Sequence, residues 1–119
     1  MPTNNYPNIG KKNFGRDFNF YQKFEVVATD FGSESIGGEQ PDTVITFPTQ
    51  GLMFFNEETG AGKVVEYSFN GNHVHGELDP TLIETPLIFN NRVASLIWFR
   101  VKAGSTGPIT IRVDAWGTR

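Results

Sequence analysis

Hydrophobic and polar residues alternate most regularly over the last quarter of the chain. Ile109, Ile111, Val113 and Ala115 fall on one side of an extended segment, and Thr110, Arg112, Asp114 and Trp116 fall on the other. In residues 93–102, Val93, Ile97, Phe99 and Val101 share a side, opposite Ala94, Leu96, Trp98, Arg100 and Lys102. Both stretches read as half-buried strands. The turn-rich residues 103–108 between them predict a hairpin. Pairing Phe99 with Ile111 keeps both apolar faces on one core and sets Trp98 across from Arg112, because a slip of one residue would turn one strand inside out.

Earlier in the chain the same period-two pattern recurs in shorter pieces. Residues 21–29 alternate Phe24, Val26 and Ala28 against Glu25 and Thr29, which predicts a strand. Residues 30–42, with Gly32, Gly37, Gly38 and Pro41, predict a long exposed loop, a kind often functional. Residues 43–49 resume as a strand that Pro48 ends or places at an edge. The run Leu52-Met53-Phe54-Phe55 predicts burial on both faces. After a turn at 56–62, residues 63–70 alternate again and imply another hairpin. Asn70-Gly71 is a turn signal, since both residues tolerate positive φ. Short strands follow at 73–78 and 86–89, with Asn90-Asn91 turning the chain into residues 93–102. No helical period of useful length appears. Seven or eight short strands predict an all-β fold, an antiparallel β-sandwich of jelly-roll-like form.

Residues 1–19 differ from the rest. They are rich in Asn, Pro and Gly, with Tyr6, Ile9, Phe14 and Phe18 spaced in neither period. This predicts an N-terminal arm (1–19) on a single domain (20–119), its aromatic residues being anchors either on a neighbour or across the chain's own domain.

Charge reinforces that division. Of ten Lys and Arg against thirteen Asp and Glu, Lys11, Lys12, Arg16 and Lys23 face only Asp17 in the first 23 residues, while the remainder holds six bases and twelve acids. A basic end on an acidic body suits an arm reaching an acidic neighbour, another copy of the chain included; solvated surface charge explains it equally. The basic group lacks the density of a phosphate-neutralising patch, so nucleic acid is not an expected partner. No apolar run is long enough to span a membrane, and the opening residues lack the layout of a signal peptide. Cysteine is absent, which removes disulfides and thiolate chemistry, and eleven Phe against three Tyr and two Trp predict a phenylalanine-rich core.

Candidate chemistry is sparse. His73, His75 and Glu77 would share one face of a strand, a geometry open to a metal ion. The chain has two histidines only, so Glu84 would have to complete a site of the kind found in metal-dependent jelly-roll enzymes; a half-exposed strand face beside a turn explains the pair without a metal. No carboxylate pair, phosphate loop or serine-nucleophile motif stands out, and no cofactor is expected. Trp98 and Trp116, on the outward faces of their strands, could cover the sheet, meet another subunit or stack on sugar.

Residues 65–78, followed by Phe89-Asn90-Asn91-Arg92-Val93, Ile97-Trp98-Phe99-Arg100 and Val113-Asp114-Ala115-Trp116, resemble small virion structural proteins of tailed bacteriophages. The resemblance covers about the last 55 residues. It implies a non-enzymatic β-sandwich present in many copies on a head or tail, such as a capsid decoration (cement) protein, with an arm laid on a neighbour. The expected partners are copies of the chain and other virion proteins, such as a major capsid or tail protein. The expected contacts are Tyr6, Ile9, Phe14 and Phe18 as anchors, Lys11, Lys12 and Arg16 as charges, and Trp98, Arg100 and Arg112 on the sheet. A carbohydrate-binding sandwich is the alternative, and a metal-dependent jelly-roll enzyme the third.

Overall fold

The computed structural model describes residues 17–31, 41–82 and 86–118. Eight strands form there: β1 (Asp17–Val26), β2 (Thr43–Val44), β3 (Gly51–Asn56), β4 (Val65–Ser68), β5 (Gly76–Leu78), β6 (Leu87–Asn90), β7 (Leu96–Val101) and β8 (Ile109–Thr118). They make two antiparallel four-stranded sheets, ordered β1-β8-β3-β6 and β2-β7-β4-β5. Every connection except β4 to β5 passes from one sheet to the other, which is the jelly-roll form of the sandwich.

The inward residues are those the alternation marks. Ile109, Ile111, Val113 and Ala115 of β8 meet Ile97, Phe99 and Val101 of β7 in one buried cluster with Leu52, Phe54, Val65, Tyr67 and Leu78. Phe54 is its hub, with ring centroids 5.1 Å from Tyr67, 5.3 Å from Phe99 and 5.4 Å from Phe89, all edge to face. Such pairs add about 0.5–1.5 kcal/mol each beyond area burial. Leu52 and Phe54 are fully buried, whereas Met53 and Phe55 are half-buried, so the predicted two-sided burial holds fully on one face.

The predicted hairpin over residues 93–116 does not form. β7 lies between β2 and β4 with Phe99 opposite Tyr67, and β8 lies between β1 and β3 with Ile111 opposite Phe24 and Asn56. Alternation fixes which side of a strand faces the core, and two apolar faces satisfy it equally by meeting across the core or lying side by side. The connection at 102–108 takes the first course. For the same reason the hairpin implied before residues 63–70 is a crossing between sheets. The Asn70-Gly71 turn is a true hairpin, pairing Val65 with Leu78 and Tyr67 with Gly76, with Gly71 at φ 78°.

Several boundaries move: the strand expected over 43–49 stops at Val44, the one expected over 21–29 stops at Val26, and two further shifts bear on the expected contacts. β1 begins at Asp17, so three residues assigned to the arm belong to the sheet, with Phe18 paired to Gly117. β7 begins at Leu96, which leaves Val93 outside the strand and 74% exposed.

One end of the sandwich gathers the start of β1, β3 and β7 and the end of β6 and β8, as the pairs Asp17–Thr118, Gly51–Trp116, Gly51–Asn90 and Val44–Leu96 require. Two connections close it. The Thr49 hydroxyl donates to the Arg92 carbonyl at 2.6 Å and accepts from the Ala94 amide at 2.9 Å, while the Ile45 amide donates to the Ser95 carbonyl. Residues preceding Asp17 therefore join the domain at this end, called here the entry end.

Candidate interaction surfaces

His73 and His75 lie in the β4–β5 turn, short of β5, and are exposed. The turn holds them there. Nδ1 of His75 accepts from the Phe69 amide at 3.1 Å, and Nδ1 of His73 stands 3.2 Å from the Asn70 side-chain nitrogen. The Ser68 hydroxyl and the Asn70 side-chain oxygen take the neighbouring amides of Asn70, Gly71, Asn72 and His73. Glu77 faces Lys102 at 2.7 Å, and that hydrogen bond, with the carboxylate's charge, raises the Lys102 pKa. The expected strand face of two imidazoles and a carboxylate is thus dissolved by the turn's own hydrogen bonding. Among the described residues no group of three or more His, Asp or Glu is placed to hold a metal ion. Glu84 lies outside the described residues.

Trp98, Arg100 and Arg112 do not form one surface. Trp98 and Arg100 sit on the outer face of β7, Arg112 on the outer face of β8 in the other sheet. Trp98 lies opposite Ser68 and is only 7% exposed, so little of it is left for a partner. Arg100 is held through Nε to Glu66 at 2.8 Å, with its guanidinium 4.3 Å from the Phe31 ring centre. Phe31 is itself fully buried, so the predicted exposed loop starts on an anchored residue. Arg112 stands between Tyr21 and Phe55, 5.9 and 5.5 Å from their ring centres, and 3.5 Å from Asp114.

Of the expected arm contacts, Phe18 is committed within the domain, its ring stacked on Phe47 at 5.3 Å. Tyr6, Ile9, Lys11, Lys12, Phe14 and Arg16 lie outside the described residues.

Much of the apolar surface that is exposed lies elsewhere. Of nine large apolar side chains exposed among the described residues, Val44, Val74, Val93, Leu96 and Trp116 sit at the entry end, while Val27 and Leu82 follow β1 and β5 at the other end. Val44 and Leu96 are a cross-strand pair on the outer face of the second sheet. The Trp116 indole leans over Gly51 and fills the place a Cβ would take there, which fixes the ring with 37% of its surface open. Tyr21, at 63%, extends the same sheet face toward its middle. Sequence reasoning passed over Tyr21, Val44 and Val74. For Tyr21 the signal was present, because in a strand where Phe20 and Phe24 point inward Tyr21 points out.

Comparison with protein-family models, with curated proteins and with solved structures gave no match.

Proposed function

We propose that the chain is a non-enzymatic structural subunit of a tailed-phage particle, most concretely a capsid decoration or cement subunit or another head or tail component. It would act through its N-terminal segment and lateral contacts with copies of itself and a shell or tail protein. The observation that carries this reading is the apolar entry end. A small domain has no internal use for Val44, Val74, Val93, Leu96 and Trp116 held in solvent at one end, and such surface is characteristic of contact with another protein. β1 starts at that same end, and Lys11, Lys12 and Arg16 come before it in the sequence, so charge and apolar contact would act together on an acidic neighbour. The resemblance to small virion proteins adds the setting, and a jelly roll is a fold that serves capsids, lectins and cupins alike.

The test is sedimentation of the purified chain alone and with purified phage shells. Saturable binding at a fixed ratio of copies per shell protein supports the reading. A chain that stays in the supernatant with head, neck and tail preparations removes it.

A further inference from the structure

The edge strand β6 and the turn after it enclose an open depression of about 500 Å³, lined by Ile88, Phe89, Asn90, Asn91, Arg92 and Val93. That volume falls within the range of ligand sites, about 300–1,000 Å³. Three features of its lining bear on what it would take. First, Arg92 is a cation without an anion among the described residues. Lys23, Arg100, Lys102 and Arg112 each have a carboxylate partner, and Lys63 donates to the Pro108 carbonyl. Among the described residues the Arg92 guanidinium has neither an ion pair nor a hydrogen bond; it rests 4.0 Å from the Phe69 ring centre and 5.8 Å from that of Phe89, with Nε shut off from water. Second, β6 pairs with β3 alone, so among the described residues its other edge has no strand beside it. Third, Ile88 and Val93 are exposed on either side of the Asn90 and Asn91 amides, and Asn91 holds the turn at φ 62°.

We infer that this depression binds an extended peptide segment of a partner protein through a carboxylate side chain. The peptide lies along the free edge of β6, Arg92 receives the Asp or Glu carboxylate, and Ile88 and Val93 meet apolar neighbours of that residue. A guanidinium fixed on aromatic rings is pre-oriented for two parallel N–H···O bonds, and the missing counter-charge is what the ligand supplies. Edge-strand addition gives the backbone affinity, and the cation gives the sequence preference. The inference stands apart from the particle reading, and either can fail alone.

The test titrates the full-length ¹⁵N-labelled chain with the peptide acetyl-Thr-Val-Glu-Val-Thr-amide, with its Gln counterpart, and with sodium acetate. The expected result is a set of amide shifts confined to β6 and residues 91–93, with the Gln peptide bound about tenfold or more weakly. Arg92→Met, which keeps an apolar stem over Phe69, should erase the difference between the two peptides. Equal affinity for the Glu and Gln peptides overturns the inference on the unmodified protein, whatever the variant does. Shifts elsewhere, or the same shifts from acetate at the same concentration, overturn it also, the latter marking a site for a free anion.

Discussion

Single polar residues do much to hold this domain's connections. Asn56 is buried at the end of β3; its side-chain nitrogen donates to the carbonyls of Lys63 and Leu78 at 2.8 and 2.9 Å, and its oxygen accepts from the Glu58 amide. Asn56→Ala leaves those backbone groups without their partner, so it should destabilise the domain by about 1–3 kcal/mol, read from the urea midpoint. A midpoint equal to that of the parent chain would show the three bonds to be replaceable by water. Asp79 gives a prediction in pH. Its carboxylate accepts from the Thr81 hydroxyl at 2.7 Å and from the Thr81 amide at 2.9 Å, and these two bonds hold its pKa below the ordinary carboxylate value. A carboxylate whose folded pKa is depressed contributes stability above its unfolded pKa and loses it as pH falls through the folded value. The Thr81 amide resonance should therefore titrate with its midpoint below the ordinary carboxylate value. A midpoint at or above that value would contradict the bonds.

At the scale of strands, the first test is where the chain can be cut. Deleting residues 1–16 leaves β1 whole, so the product should fold with little change in stability and lose its assembly. Deleting residues 1–19 also removes three pairs of the β1–β8 ladder and the Phe18–Phe47 stack, and should lower the melting temperature clearly below that of the shorter deletion. Equal melting temperatures would place the boundary after Asn19, as sequence alone suggests. These strands were legible in outline, because Ile109, Ile111, Val113 and Ala115 cannot all be buried unless they share a face. Their neighbours were not legible. Nothing in the alternation of β7 and β8 distinguishes strands that hydrogen-bond from strands that face each other across Phe54 and Leu52, so every residue expected to point inward from them does so except Val93, which lies before β7 begins. The same limit explains Trp98 and Arg112: each was assigned correctly to an outward face, but the two outward faces belong to opposite sides of the molecule. Of the three readings open for Trp98, its burial suits cover of the sheet. His73 and His75 failed for a local reason, since the hydrogen bonds of Ser68 and Asn70 extend the turn past both.

For the molecule as a whole, the fold accounts for where contact surface can lie. Crossing connections close the entry end with Thr49 and the residues around it, and in doing so they leave Val93 and the Val44–Leu96 pair standing in solvent beside the point where the basic segment joins. A deletion of that segment and a change to those side chains would therefore act on one contact from two sides. The most direct measurement is co-sedimentation of the chain with purified phage shells, comparing the parent with the double variant Val93→Glu and Leu96→Glu. Both positions are exposed, so the variant should keep the parent's circular dichroism and melting temperature while its retention on shells falls at least about tenfold, the effect of placing two desolvated, unpaired charges in an apolar contact. Undiminished retention of a folded variant would contradict the account, because assembly would then run through some other surface.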